Sequence, residues 1–226
     1  MKAFMKDELR NWKLLEVLWL AFATAVITGI SLYFRENWIQ LWAAITGIWC
    51  VVLTGKGKRS SFIFGTINVF LYAVVAYEAK YYGEVMLNLL YYFPMGFVGW
   101  FMWKKHMDSE TSEVKKVHLS KKAWLLYPAT GVAIFSYGYL LKVMGGKLPY
   151  VDSMSTVVSV VAQILSVFRL TEQWILWIAV DAVTIVLWAV NFAQGGENIA
   201  TLAMWSVYLF NAIIMYIKWH KESHTV

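Results

Sequence analysis

Long stretches of this chain contain no charged side chain, and nothing else in it restricts the fold as much. Residues 17–34, 37–54, 60–77, 85–103, 123–141, 153–168 and 198–217 carry no Asp, Glu, Lys or Arg, and residues 173–193 carry one acid, Asp181. A helix needs about 20 apolar residues to cross a hydrocarbon layer of roughly 30 Å. The run at 153–168 is short, but Leu148 to Val151 extend it. One small water-soluble core has no room for eight such helices. Composition agrees: 60% of the 226 residues are hydrophobic and 15% are charged, where a soluble domain carries about a quarter charged. The expected class is an all-α integral membrane protein with eight transmembrane helices.

Charge placement tests that count. With eight crossings, sixteen of the twenty Lys and Arg residues fall on one side, and Arg35, Lys80, Lys142 and Lys147 fall on the other. That bias is the positive-inside pattern and puts both termini in the cytoplasm. The net charge of +6 therefore reflects orientation in the lipid bilayer. It does not point to nucleic acid, which would need a basic face on a soluble element. The lone cysteine, Cys50, forms no intrachain disulfide and reads as a small buried hydrophobe. The first apolar run follows mixed charge and has no small-x-small cleavage site, so it reads as a retained helix. Ahead of it, Phe4, Met5, Leu9 and Trp12 alternate with Lys2, Lys6, Arg10 and Lys13, as in an interfacial amphipathic segment.

The polar stretch 104–122 divides the chain. The expected order is a lead-in and extra transmembrane helix at 1–36, a three-helix bundle at 37–103, a cytoplasmic loop at 104–122, a linker helix at 123–142, a second three-helix bundle at 143–219 and a tail at 220–226. Three, one, three is a parallel-repeat layout. An offset of 113 pairs Lys56 with Arg169 and Asn68 with Asp181; an offset of 116 pairs Tyr92 with Tyr208 and Trp103 with Trp219.

Common catalytic signatures are missing: there is no GxxxxGK[ST], HExxH or GxSxG motif. The four histidines fall in segments expected to be cytoplasmic, and Asp181 is the only carboxylate expected at membrane depth. No catalytic residue, cofactor or metal ligand is assigned. Membrane depth does hold hydrogen-bonding and aromatic groups, which face a cavity or a partner because exposing them to lipid is costly. Trp174, Trp177, Asp181 and Trp188 share one helical face; so do Asn68 with Tyr72, Asn88 with Tyr92, and Met204 with Tyr208 and Asn211. Gln163 sits near the middle of its short helix. The candidate substrate-binding set is Asn68, Tyr72, Asn88, Tyr92, Gln163, Trp177, Asp181, Trp188 and Asn211. A charged Asp181 at the bilayer centre would cost at least about 2.5–3.5 kcal/mol, so it is expected to face water or carry a proton. Trp38, Trp42, Trp103, Trp124 and Trp219 read as interface anchors. Gly47, Gly65, Gly96, Gly99, Ser153 and Ser159 suit close helix packing, and Pro94 is expected to weaken its helix and free a carbonyl near residue 90.

Several motifs carry a resemblance. NVFLYAVVAYEAKYYGEVMLNLLYYFPMGFVGWFMW holds Asn-x-x-x-Tyr, Tyr-Gly-acid, Asn-x-x-Tyr-x-x-Pro-Met and Gly-Trp-x-x-Trp, and LPYVDSMSTVVSVVAQILSVFRLTEQWILWIAVD holds Leu-Pro-x-x-Asp-Ser, Ala-Gln and Glu-x-Trp-x-x-Trp. From about residue 37 to 219 the chain resembles the PnuC family of bacterial nicotinamide riboside transporters, departing at Asp181, where that pattern has Asn. The resemblance implies a SWEET-like 3+1+3 fold in the bacterial inner membrane and a homotrimer. It implies uptake of nicotinamide riboside for NAD synthesis by facilitated diffusion with alternating access, made directional by a cytoplasmic riboside kinase. Alternatives are a proton-coupled carrier of thiamine or riboflavin using Asp181, and an intramembrane enzyme or scaffold.

Overall fold

The computed structural model describes residues 2–79, 81–120, 125–143, 145, 149–195 and 199–223, all within helices and their connections. The short α1 (Lys2–Glu8) precedes α2 (Leu14–Tyr33), α3 (Trp38–Lys56), α4 (Ser60–Glu78) and α5 (Tyr82–Met86). A π-helical turn, Leu87–Tyr92, joins α5 to α6 (Phe93–Lys104). Then come α7 (Leu126–Val143), α8 (Pro149–Val167), α9 (Gln173–Ala193) and α10 (Ile199–Glu222). Among the described residues seven segments are long and apolar enough to cross a membrane: α2, α3, α4, Glu84–Lys104, α8, α9 and α10. The expected eighth, α7, is helical but not among them. It carries Pro128, three tyrosines and Lys142, each of which weakens its case as a span. Trp124, Lys80, Lys147 and His224 lie outside the described residues.

Local chemistry sets the helix ends. Asn37 caps α3 by accepting from the Gln40 amide at 2.9 Å. Gly57 ends α3 in the left-handed region (φ 80°), and the Lys58 amide donates back to Leu53 O at 2.9 Å. The end of α8 repeats this turn, with Arg169 (φ 63°) in the glycine's place and the Leu170 amide donating to Leu165 O at 2.9 Å. Residues 53–58 thus superpose in role on 165–170, one residue off the offset expected from sequence.

The polar stretch after α6 is not a loose linker. It straps both turns together. The Val114 amide donates to Gly57 O at 2.9 Å, the Val117 amide to Arg169 O at 3.1 Å and the Thr171 amide to Val117 O at 2.9 Å. The Arg169 guanidinium donates to Lys115 O at 3.0 Å. Beneath the strap lies a chain of ion pairs. Lys56 Nζ stands 2.7 Å from Glu16 and 2.9 Å from Glu113, Lys218 stands 2.7 Å from Glu16, and Lys116 joins Glu113 to Glu222. Four parts of the chain, α2, α3, α10 and the strap, meet there. Lys58 is fully buried and donates to Asp7 O and Ser112 O, each at 2.9 Å. Burial holds its ammonium below the usual lysine value despite nearby Glu113, Glu8 and Asp7. The lead-in α1 is pinned here as well, with Arg59 lying over the rings of Phe4 and Trp100.

Trp103 and Trp219, expected at the lipid interface, are instead fully buried at this end. Trp103 Nε1 donates to Ser166 O near the end of α8 at 3.1 Å, and Trp219 Nε1 donates to Gly55 O near the end of α3 at 2.8 Å. Carbonyls in a helix's last turn lack helical partners, and here an indole supplies one for each helix. Sequence position marked both residues as near helix ends and could not show the strap covering them. Trp38 and Trp42 are exposed, 70% and 52%. α2 packs on α3 and α10, burying Ala23, Ile27 and Ser31. At the opposite end Glu36 accepts from the Ala200 amide at 2.7 Å, and burial raises its carboxyl above the usual range.

Close approach between α3 and α10 depends on glycine. A methyl group at Gly47 would overlap the Tyr208 hydroxyl and crowd the Asn68 amide, and one at Gly55 would overlap Met215. Gly47→Ala is therefore expected to lose about 1–3 kcal/mol from overpacking, read as a lower unfolding temperature of the purified protein. Lys56→Met leaves Glu16 and Glu113 buried without their shared cation and is expected to cost about 3–5 kcal/mol by the same measurement. Glu113 supplies a pH test. Burial pushes its carboxyl up, but Lys56 and Lys116 outweigh that and hold it below 4.5. A depressed value stabilises the fold above pH 4.5 and loses that contribution as pH falls through it. Unfolding temperature is expected to drop on such acidification, and Glu113→Gln is expected to flatten the drop.

Candidate functional site

A cavity of about 1160 Å³, its opening included, runs between α3, α4, the π turn with α6, α8, α9 and α10. Seven of the nine candidate residues line it: Asn68, Tyr72, Asn88, Tyr92, Gln163, Trp177 and Asp181. They come from α4, the π turn, α8 and α9. The chain separation between them is what made their meeting invisible to helical spacing alone.

The π turn shapes one wall. Pro94 has no amide hydrogen, so Leu90 O lacks its regular donor. The helix widens instead, and the Phe93 amide donates five residues back to Asn88 O. Wide turns of this kind are frequent at functional sites. The expected weakening of this helix is thus a change of winding over Leu87–Tyr92. It buries Asn88, whose amide donates to Glu84 O at 2.8 Å. Tyr91 reaches across to α8, its hydroxyl donating to Val160 O at 2.7 Å. Tyr92 turns toward α9, where its ring lies 6.5 Å from Trp177.

On the facing walls, Asn68 donates through its amide to Ala43 O at 2.7 Å, which leaves its side-chain oxygen as the group to offer a ligand. Asp181 is 2% exposed. The ion pairs among the described residues gather at the strapped end and none includes it. Ser61 Oγ and Trp174 Nε1 also line the cavity, buried and without hydrogen-bond partners among the described residues. Buried polar groups ordinarily find partners, so these mark the wall as made for a polar ligand or water.

Trp188 and Asn211 lie outside the lining. Trp188 is fully buried behind it, donating to the Tyr72 hydroxyl at 3.1 Å, with the Tyr81 ring 5.2 Å away. That contact joins α9 to α4 beyond the cavity. Asn211 is fully buried too; it donates to Val51 O at 3.1 Å and accepts from Trp19 Nε1 at 3.3 Å. It ties α10 to α3 and α2. Shared helical face predicted both correctly as inward-facing, but not which inward neighbour each one meets. Sequence reasoning passed over Glu84, Thr184 and Trp205, and read Ser159 as a helix-packing residue; all four also line the cavity. Glu84 was legible only as the acid after Tyr-Gly, at the edge of an uncharged run.

The lining is chemically one-sided. It holds two carboxyl groups, Glu84 and Asp181, and several aromatic rings, and among the described residues it holds no Lys, Arg or His. Such a wall stacks a flat ring and hydrogen-bonds hydroxyls or amides. Among the described residues it offers a phosphate no ammonium or guanidinium.

Comparison with known proteins agrees with this picture. Residues 37–221 match a protein-family model described as nicotinamide mononucleotide transporter. The nicotinamide riboside transporter PnuC of Neisseria mucosa is 44% identical over 97% of this chain and 86% of its own length. The protein of the same name from Haemophilus influenzae is 37% identical over 97% of this chain and 96% of its own. A solved structure described as the vitamin B3 transporter PnuC superposes with a TM-score of 0.88 at 44% identity, covering 97% of this chain and 96% of that one. All are named as transporters and none as an enzyme. The chain belongs to the PnuC family of multi-pass membrane transporters.

Proposed function

We propose that this protein carries nicotinamide riboside across the bacterial cell membrane, through the cavity between its helices. The observation that carries the reading is the lining. Trp177 and Tyr92 offer faces to a flat cationic ring, while Asn68, Asn88, Gln163 and Asp181 offer partners to ribose hydroxyls and the carboxamide. The family model and the relatives differ in the names they bear, mononucleotide against riboside. A lining without basic residues among those described favours the riboside, because a phosphate dianion would face two carboxyl groups and no described cation.

The working architecture is two three-helix bundles, α3–α4–α6 and α8–α9–α10, linked by α7 as an eighth crossing, with α2 outside them. Alternating access is then a rocking of one bundle on the other. The strapped, lysine-rich end with both termini faces the cytoplasm. Transport is facilitated diffusion, drawn inward by a cytoplasmic kinase that phosphorylates the riboside, and the assembly is a homotrimer. The nine candidate residues form the binding region, Trp188 and Asn211 acting by positioning the wall.

Purified protein is expected to bind nicotinamide riboside in calorimetry. Trp177→Ala and Asn88→Ala are each expected to weaken binding about tenfold or more, matching loss of a stacked ring or a buried hydrogen-bond partner, while retaining the fold. Unchanged affinity in both variants would remove the site. In liposomes, labelled riboside should equilibrate chemically intact and ignore an imposed pH gradient; accumulation driven by that gradient would instead establish proton coupling.

A further inference from the structure

The two ends of the cavity are closed by different means. Backbone bonds and ion pairs close the strapped end. Side chains close the far end. The lining of α9 stops there at Thr184 and that of α4 at Tyr72. Trp188 stands about one turn beyond Thr184 and is fully buried, and Tyr81 follows the end of α4. Trp188 Nε1 donates to the Tyr72 hydroxyl at 3.1 Å. The Tyr81 ring stands edge-on to the Trp188 indole, 5.2 Å between centroids. Its hydroxyl shares a hydrogen bond with Asn191, about one turn further along α9. The backbone of α9 packs on α8 and α10, and that of α4 on α3, α5 and α6. Across this end α4 and α9 reach each other through the side chains of Tyr72, Tyr81 and Trp188. Glu36 accepts from the Ala200 amide at the same end, a bond that touches neither α4 nor α9.

We propose that Trp188 and Tyr81 form a latch on this end of the cavity, and that the substrate passes when Trp188 withdraws from the Tyr72 hydroxyl. The inference rests on the cavity being the substrate's path and adds where that path opens. Latch and wall share one residue, because Tyr72 lines the cavity while its oxygen takes the indole hydrogen. Releasing the latch breaks neutral hydrogen bonds, whose net worth is small because water replaces them. Parting the strapped end separates buried ion pairs, which costs several times more. The far end therefore opens first. Tyr81 braces Trp188 from outside the lining, so it governs passage without touching the ligand.

The test reads passage separately from affinity. Tyr81→Phe deletes one hydroxyl outside the cavity and keeps the ring. On purified full-length protein, stopped-flow tryptophan fluorescence is expected to show nicotinamide riboside associating and dissociating about fivefold faster in this variant, the factor of one lost hydrogen bond, with Kd changed by less than about twofold. A merely structural role would raise Kd without speeding association. Cys50 gives a reading without ligand, since it is the chain's one cysteine and lines the cavity. In detergent, a hydrophilic maleimide is expected to label Cys50 about fivefold faster in Trp188→Phe and in Tyr81→Phe than in the unaltered protein. Unchanged labelling in both variants, or unchanged association in Tyr81→Phe, would overturn the latch and leave the riboside reading standing. Failure of the riboside to bind the unaltered protein would overturn that reading, and the labelling comparison would still decide the latch.

Discussion

Two tryptophan indoles hold the strapped end of the molecule together, and they do so reciprocally. Trp103 of α6 donates to the end of α8, and Trp219 of α10 donates to the end of α3. Their rings lie 6.3 Å apart, with Trp174 packed 5.6 Å from Trp219. Each bond satisfies a terminal carbonyl that lipid could not solvate, and each joins helices distant in sequence. The strap from 105 to 117 then ties the same two helix ends through backbone bonds to Gly57 and Arg169.

A contrast follows between two classes of buried polar group. At the strapped end three lysines are paired with acids: Lys56, Lys116 and Lys218 share Glu16, Glu113 and Glu222. Asn211 and Trp188 are likewise fully engaged with neighbouring helices. In the cavity wall, Ser61, Trp174 and Trp205 keep buried polar atoms without partners among the described residues. Polar groups with partners hold helices in place. Those without, at Ser61, Trp174 and Trp205, are available to a polar ligand in the cavity.

Much of this was legible in the sequence. Uncharged runs located the helices to within a few residues, because hydrocarbon admits almost nothing else. Helical spacing turned Asn68, Tyr72, Asn88, Tyr92 and Asp181 inward, and the fold gathered them from separate helices. The misses share one cause, the partner across the chain. Trp103 and Trp219 looked like anchors since sequence position shows depth and not cover. Asn211 and Trp188 looked like wall residues since helical phase shows the inward side and not the neighbour met there. The strap looked like a loop because isolated backbone bridges, such as Val117 to Leu170, leave no periodic trace. The shortfall of α7 traces to its tyrosines and Pro128, which dilute its apolar character.

The π turn has a consequence for how the chain tolerates change in length. Regular helix advances about 100° per residue, and the wide turn at Leu87–Tyr92 absorbs surplus rotation before α6 begins. Removing one residue there would return the segment to ordinary winding and lose the wide turn that seats Asn88 and Tyr92 in the wall. Related chains of differing length should therefore keep their insertions and deletions out of this stretch, which carries Asn88 and Tyr92 into the cavity wall.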